Sequence, residues 1–221
     1  GPKEGELLVV GAHYDAAGPL PGADDNASGV AGLLELARLL NGKPLAIPVE
    51  LVAFTLEEPP HFRDVSMGST IHAQALKARG ARVRAMLSLE MLGCYTDEPQ
   101  SQQFPLAPLR LLYRSTGDSI VIVSRLADMG LTRRLKRAMR GGSGPLPVDS
   151  MNGPAAVPGV DFSDHRSYWR EGYSAAMITD TAFYRNPRYH TEDDTYDTLD
   201  YRRMAHAVDG IHAAVLALAG P

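Results

Sequence analysis

Cysteine is almost absent from this chain of 221 residues. Cys94 is the only one, so no internal disulfide can form and a cysteine-based structural zinc site is excluded. The sequence also lacks runs of lysine and arginine, because its 22 basic and 26 acidic side chains are spread along the chain and give a net charge of -4. We therefore expect no nucleic-acid partner. Any metal must be held by histidine and carboxylate groups.

Long apolar runs are missing as well. None reaches the length needed to cross a bilayer, so membrane insertion is not expected, and residues 1–10 lack the charged-then-apolar pattern of a signal peptide. Neither absence decides the compartment. The first apolar segment, residues 7–12, begins almost at the start of the sequence, so a native N-terminal portion before residue 1 stays open. With 44% apolar residues, residues 1–221 are interpreted as one domain with a single core.

Short apolar runs alternate with helical patterns along the chain. The runs are rich in branched residues, as is typical of strands covered on both faces, and they lie at residues 7–12, 49–55, 83–89, 120–123 and 175–179. The helical patterns lie at residues 29–40, 66–79, 125–140 and 201–218. This order predicts an α/β fold with a mostly parallel, mixed central sheet and helices on both faces.

Two stretches are predicted to lack regular structure. Residues 58–65 contain the pair Pro59-Pro60, and residues 141–159 contain repeated glycine and proline. Loops of this length in a compact domain are often functional, so both are candidate walls of a cleft. A surface excursion remains the alternative for the second stretch.

Histidine and acidic residues follow the predicted strands. In a parallel sheet the carboxyl ends of the strands share one edge, where open α/β folds bind their ligands. A cluster of imidazoles and carboxylates without a thiolate suits zinc, or less selectively cobalt or manganese. The residues at these strand ends are His13, Asp15, Glu57, Glu58, Glu90 and His190.

Each of these residues also has a structural interpretation. A single histidine is more often a surface or hydrogen-bonded residue than a ligand, but Asp15 lies two positions after His13 and can orient its imidazole. The pair Glu57-Glu58 is either a solvated strand end or a carboxylate pair that faces a cation. Glu90 lies inside an apolar run and needs a counter-charge, which a metal would supply.

The approach to the first helix, residues 22–29, allows two interpretations. Asp24 or Ser28 can form an ordinary helix N-cap there. Asp25 can instead project a carboxylate into the cleft and bridge two cations, while small residues such as Gly29 allow close helix packing.

Taken in order, the motifs resemble those of the co-catalytic zinc aminopeptidase family, whose relatives include bacterial leucyl aminopeptidases, glutamate carboxypeptidase, transferrin receptor ectodomains and glutaminyl cyclases. The resemblance covers nearly the whole chain and implies the fold of zinc exopeptidases, with a mixed sheet of the phosphorylase/hydrolase-like type. The matching segments are residues 11–15, 22–29, 53–58, 67–69, 88–93, 163–165 and 189–191.

The resemblance implies a ligand set for two zinc ions. His13 and Glu90 would hold one ion, Glu58 and His190 the other, and Asp25 would bridge them. Many family members have aspartate at the position of Glu90, so the longer side chain predicts that one ion is shifted or bound more weakly.

The same resemblance implies roles in catalysis. Glu57 would act as the general base that takes a proton from a water activated by the metal ions, and Asp15 would support His13. Residues implied at the substrate, as cleft walls or donors to the oxyanion, are Asp164, His165, Tyr168 and Tyr189.

The expected activity is removal of N-terminal residues from peptides. A single-zinc glutaminyl cyclase-like acyltransferase is the alternative, although it would need only Asp25, Glu58 and His190. A metal-free binding domain is a further alternative. A carboxypeptidase or dipeptidase of the same fold would need a cation for the substrate carboxylate, for which the candidates are Arg63, Arg166, Arg185 and Arg188. Because bacterial relatives are commonly exported, the resemblance also implies an extracytoplasmic or secreted protein.

Overall fold

The computed structural model describes residues 5–221. Six strands are present, which are β1 Glu6–His13, β2 Val49–Phe54, β3 Arg82–Glu90, β4 Ile120–Ser124, β5 Val148–Asn152 and β6 Ala175–Thr179. The α-helices are α1 Gly29–Leu40, α2 Gly68–Ala78, α3 Met129–Gly142, α4 His165–Arg170 and α5 Tyr201–Ala219. None of the helices in this part of the chain is long and apolar enough to span a membrane.

The strands form a single mixed sheet in the order β2-β1-β3-β6-β4-β5. The first four strands in this order run parallel to one another. Strand β4 pairs antiparallel with β6, and β5 pairs parallel with β4. The carboxyl ends of β2, β1, β3 and β6 therefore lie side by side at one edge. The predicted fold class, a mostly parallel mixed sheet, is confirmed.

Helices cover the sheet on both faces. Successive strand residues point to opposite sides, so a strand such as β1 packs against helices on both faces. On one face Leu8 and Val10 of β1 belong to the large apolar cluster that contains residues of α1, α3 and α5. On the other face Val9 packs in a smaller cluster with residues of α2 and α4, such as Leu76 and Tyr168. Burial on both faces explains why the inner strands β1, β3, β4 and β6 are rich in apolar residues.

At the β6-β4-β5 end of this second face, the sheet is covered by the loop after β5 and by Trp169 of α4. Val123 and Met177 form a third, small buried cluster with Val160 from the loop after β5. The neighbouring side chains Val121 and Met151 are only partly buried. This incompletely covered part of the sheet is important for the candidate site.

Two parts of the sequence interpretation are wrong. The stretch 141–159 was expected to be irregular, but residues Val148–Asn152 form the edge strand β5. Its sequence, VDSMN, is largely polar and most of its residues are only partly buried, so the apolar signal of a covered strand is missing. The short helix α4 was also not predicted, because six residues carry too little helical periodicity to be recognised.

Candidate metal centre and adjoining pocket

The turn before α1 presents Asp25 to the carboxyl edge of the sheet. The backbone of Asp25 and Asn26 leaves helical geometry inside the segment Ala23–Ser28. Ser28 occupies the N-cap position of α1, but its side chain makes no capping hydrogen bond. The side-chain oxygen of Asn26 instead accepts a hydrogen bond from the N–H of Gly29 at 3.2 Å, and it accepts another from the N–H of Met91 at 3.0 Å. The turn is thereby attached to the end of β3.

Gly29 permits this close approach. A Cβ atom at this position would lie 2.5 Å from Asn26 Oδ1 and 2.7 Å from the carbonyl oxygen of Leu89. The sequence interpretation of a small residue for close helix packing is therefore supported by the contacts.

Five predicted ligands form two groups that share Asp25. In the first group, His13 Nε2 lies 3.3 Å from an oxygen of Asp25 and 3.3 Å from an oxygen of Glu90. In the second, His190 Nε2 lies 3.1 Å from the other oxygen of Asp25 and 3.1 Å from an oxygen of Glu58. Within each group all the ligand atoms lie within 4.8 Å of one another.

The second group fits a metal better than it fits a hydrogen-bond network. His190 Nε2 is inaccessible to solvent and, despite its two close carboxylate neighbours, has no hydrogen-bond partner of acceptable geometry among residues 5–221. Oxygen Oε1 of Glu58 is likewise buried without a partner in this region. Buried polar atoms are normally satisfied, so atoms that converge without hydrogen bonding indicate a cation. Imidazole and carboxylate groups are ligands of zinc.

The charges in the cluster lead to the same conclusion. Burial lowers the pKa of His13, but the charge of Glu90 and hydrogen bonds to neighbouring carboxylates outweigh it and hold the pKa well above its ordinary value. The carboxylates of Asp25 and Glu58 raise the pKa of His190 to about 10. Burial raises the pKa of Asp25, but both imidazoles oppose it and bring the pKa to about 2. The imidazoles thus respond to an excess of negative charge that a divalent cation would neutralise.

Glu57 lies beside the two groups. Its Oε2 is 3.9 Å from His13 Nε2, outside the closest ligand distances, and the residue is 7% exposed. Burial raises the pKa of Glu57 well above its ordinary value, although His13 acts against this shift. A carboxyl group with a raised pKa near the ligands is a candidate proton carrier.

Asp15 positions the Glu57-Glu58 pair more directly than it positions His13. Its carboxylate accepts hydrogen bonds from the backbone N–H of Glu57 at 3.2 Å and of Glu58 at 3.0 Å. His13 Nδ1 lies 3.0 Å from the backbone oxygen of Asp15 but 3.6 Å from the carboxylate. Asp15 therefore contacts His13 through its backbone oxygen and holds the Glu57-Glu58 loop through its carboxylate.

Glu90 is held by a chain of hydroxyl groups. Ser163 Oγ donates a hydrogen bond of 2.6 Å to the Glu90 oxygen that does not face His13, and Ser88 Oγ lies 2.7 Å from Ser163 Oγ. All three side chains are buried. The longer glutamate side chain is thus fixed in place and still reaches the first group of ligands.

A cavity of about 230 Å³ adjoins the ligands and includes Asp25, Glu57, Glu58, Glu90 and His190 in its lining. Its floor is the incompletely covered part of the sheet, and the apolar floor residues are Val121, Val123, Met151 and Met177. Aromatic side chains form much of the wall, and they include Phe62, Phe104, Phe162, Phe183, Tyr184 and Tyr189. The site therefore joins a carboxylate-rich cluster to a large apolar pocket.

Comparison with known proteins gives the family. Residues 1–215 match peptidase family M28. This chain is a member of family M28. It is 49% identical over 219 residues to YfbL of Escherichia coli (strain K12), covering 96% of this chain and 67% of that protein. It is 28% identical over 220 residues to leucine aminopeptidase 1 of Coccidioides posadasii (strain C735), covering 91% of this chain and 50% of that protein. The M28 chain thus spans about half the length of this leucine aminopeptidase.

Solved structures share the fold. LapA aminopeptidase of Legionella pneumophila has a TM-score of 0.72 at 24% identity, with 97% of this chain and 52% of that chain covered. BSAP, a zinc aminopeptidase from Bacillus subtilis, has a TM-score of 0.73 at 23% identity, with coverage of 100% and 48%. A glutaminyl cyclase from Bacteroides thetaiotaomicron has a TM-score of 0.67 at 17% identity, with coverage of 96% and 73%. At such identities the likeness describes the fold of the M28 chain alone.

Two residues implied at the substrate lie elsewhere in the M28 chain. Tyr168 is fully buried in the core under α2, where its hydroxyl lies 2.6 Å from His72 Nδ1. His165 is also fully buried, and its Nε2 lies 2.9 Å from the carbonyl oxygen of Val160. Neither residue lines the pocket, so both assignments to the substrate are wrong. Both lie in or at the start of α4, the helix that the sequence did not reveal.

The other two residues are placed differently. Tyr189 lines the pocket, and its ring stacks on His190 with centroids 3.9 Å apart. Asp164 is fully buried behind the ligands, and burial raises its pKa to about 7. It therefore lies near enough to influence Glu57 electrostatically without forming part of the cavity wall.

The predicted arginine candidates for a substrate carboxylate are engaged or lie away from the pocket. Arg63 and Arg166 each lie 2.9 Å from the carboxylate of Asp161. Arg185 is buried and donates to Gln102 Oε1 at 2.8 Å and to the carbonyl oxygen of Cys94 at 3.2 Å. Arg188 does not line the pocket.

Sequence reasoning missed several supporting residues, among them Asn26, Ser163 and Asp194. Asn26 and Ser163 lie in the matching segments 22–29 and 163–165, but nothing in their local sequence indicates a supporting role. Asp194 lies in an acidic loop beside Asp193, and both residues follow His190 closely. Nothing local distinguishes the two, since only the fold buries Asp194 and leaves Asp193 exposed.

Proposed function

We propose that this M28 chain is the catalytic unit of a zinc-dependent aminopeptidase that binds two metal ions. The observation that carries the proposal is the convergence of two ligand groups on Asp25, with Glu57 beside them and an apolar pocket in front. His13 and Glu90 would complete one ion site. Glu58 and His190 would complete the other.

In peptide hydrolysis, the metal ions, Glu57 and Tyr189 would have separate roles. When bound, zinc lowers the pKa of a coordinated water and polarises the scissile carbonyl. Glu57 accepts the proton as water adds to the carbonyl carbon, and returns it to the nitrogen of the leaving amine when the C–N bond breaks. Burial is the main cause of the raised pKa of Glu57, and repulsion from Glu90 and Glu58 adds to it. Cations that neutralise these carboxylates would remove the repulsion and favour deprotonated Glu57. The Tyr189 hydroxyl is the donor we assign to the developing oxyanion.

Charge favours recognition of a free amino terminus. Carboxylate oxygens at the two ligand groups can accept hydrogen bonds from a substrate ammonium group, whereas the only lysine or arginine lining the pocket within residues 5–221 is Arg114. That guanidinium is already paired with Asp118 at 2.9 Å and with Asp149 at 3.1 Å. A carboxypeptidase would need an available cation, so the pocket supports an aminopeptidase instead.

The apolar pocket supports a preference for bulky side chains. Its volume of about 230 Å³ exceeds the roughly 150 Å³ of an apolar cavity that binds benzene. Sheet residues such as Val121 and Met177 would contact the first side chain of the peptide.

A single assay distinguishes this function from its alternatives. Leucine p-nitroanilide and N-acetyl-leucine p-nitroanilide are compared, with and without a chelator, and a glutaminyl peptide is tested for cyclisation. We expect chelator-sensitive release from the free amine substrate only, restored by added zinc. Hydrolysis of the acetylated substrate at an equal rate, or cyclisation without hydrolysis, would contradict the proposal.

A further inference from the structure

The loop that contains His190 is also hydrogen-bonded to the turn that contains Asp25. The Asp194 carboxylate accepts hydrogen bonds from the backbone N–H of Asp24 at 3.0 Å and of Asp25 at 3.1 Å. The backbone oxygen of Asp194 accepts a third, from the N–H of Ala23 at 3.1 Å. Three consecutive amides of the turn therefore converge on one residue that lies only four positions after His190.

Asp194 resembles Asp15 in its mode of contact. The Asp15 carboxylate holds two consecutive amides in the Glu57-Glu58 loop, and the Asp194 carboxylate holds two consecutive amides in the Asp25 turn. Asp194 is 1% exposed, so its hydrogen bonds do not compete with solvent. Hydrogen bonds from amides to a buried carboxylate are charge-assisted and stronger than those between neutral groups.

Other contacts of the turn complete this support. The Asp24 carboxylate accepts hydrogen bonds from the N–H of Gly93 at 2.8 Å and from the side chain of Asn186 at 2.8 Å. These contacts leave the Asp24 side chain directed away from the ligand groups, while the adjacent Asp25 side chain lies between the two imidazoles. The direction of the Asp25 carboxylate thus depends on how the backbone amides of the turn are held.

We propose that Asp194 is a positioning residue that fixes the bridging carboxylate of Asp25 relative to His190, and so sets the affinity of the metal centre. The inference rests on the proposed metal centre and deepens it. Residues that orient metal ligands typically contribute 10–100-fold in metal affinity. Asp194 would act through Asp25 and His190 without touching the metal or the substrate.

The test is the substitution Asp194→Asn. Asparagine has nearly the same shape but offers one acceptor oxygen, so its amide group would face a backbone N–H and leave that donor unpaired. Asp193→Asn is the matched control, because Asp193 is adjacent, carries the same charge and is exposed. Asp194→Glu retains both oxygens at a shifted position and serves if the asparagine variant does not fold.

Zinc affinity of the metal-free proteins is measured by competition with a chromogenic chelator, and Tm is measured with and without zinc. For Asp194→Asn we expect zinc affinity to fall about 10–100-fold for at least one ion, together with a smaller rise in Tm on adding zinc. Asp193→Asn should match the unaltered chain, and Asp194→Glu should lie between the two. A purely structural role would lower both Tm values equally and leave the zinc affinity unchanged.

The outcomes separate this inference from the proposed function. If the unaltered chain binds zinc and Asp194→Asn binds it equally well, the positioning role is refuted while the metal centre stands. If Asp194→Asn does not fold and Asp194→Glu binds zinc like the unaltered chain, the role is refuted too. If the unaltered chain binds no zinc, both the inference and the proposed function fail. Weakened binding in a chain that cleaves no aminopeptidase substrate would support the inference and refute only the activity.

Discussion

Replacement of Glu57 by glutamine separates proton transfer from metal binding. The side chain lies beside both ligand groups, but its distance of 3.9 Å to His13 Nε2 is longer than the contacts of 3.1–3.3 Å within those groups. Glutamine keeps the volume of the side chain and removes its ability to accept a proton. We therefore expect Glu57→Gln to retain metal and lose activity.

The size of this loss follows from the role assigned to the group. General acid–base catalysis contributes typically 10²–10⁴-fold, which corresponds to about 2.7–5.4 kcal/mol in the activation free energy. The loss should appear in kcat, with little change in KM, because Glu57 acts on the reacting atoms and not on the apolar part of the substrate. Glutamine is neutral and close in volume to glutamate, so the variant should be no less stable to heat.

The assay combines kinetics with elemental analysis on the same protein samples. Leucine p-nitroanilide hydrolysis gives kcat and KM, and inductively coupled plasma mass spectrometry gives the metal content per chain. Glu98→Gln is the control, since Glu98 is exposed and should tolerate the same change. If Glu57→Gln loses metal together with activity, Glu57 is a ligand. If activity falls less than about 10-fold, it is not the general base.

Three further changes test other parts of the structure. Asp15→Asn should lower zinc affinity or kcat about 10–100-fold, because the Glu57-Glu58 loop loses a hydrogen bond to the Asp15 carboxylate. Chelator competition and kinetics measure the two quantities, and unchanged values would refute the positioning role. Val121→Phe should fill the pocket and reduce kcat/KM for leucine p-nitroanilide at least about 10-fold relative to the alanine substrate; an equal effect on both would place the side chain elsewhere. Gly29→Ala should destabilise the chain by about 1–3 kcal/mol in urea unfolding, because the new methyl would collide with Asn26 and Leu89; unchanged stability would contradict the close packing.

The sequence predicted the sheet where burial leaves a local signal. The runs that became β1, β3 and β6 lie in the centre of the sheet, and burial on both faces makes their sequences largely apolar. Edge strand β5 lacks this signal because its sequence is polar. The antiparallel direction of β4 could not be read either, since an apolar run has the same composition whichever way it runs.

The convergence of the predicted metal ligands has a topological reason. His13 and Glu90 end parallel strands, and Glu58 and His190 follow parallel strands, so the alternating pattern is enough to bring them to one edge. Their assignment to two groups that share Asp25 came from family resemblance, and the contacts agree with it.

Supporting residues were not predictable in the same way. The role of Asp15 depends on which backbone amides point at its carboxylate, and Tyr168 was misplaced because a helix of six residues determines whether its ring faces the pocket or the core. Such details depend on orientation within loops and short helices, where sequence patterns carry little information.

The most direct test of the central claim is the zinc content of the purified, zinc-reconstituted chain, measured together with leucine p-nitroanilide hydrolysis. The two ligand groups that share Asp25 predict close to two zinc ions per chain, and removal of both by a chelator with full, reversible loss of activity. Binding of a single ion with full activity, or activity that survives complete removal of metal, would contradict the two-ion centre.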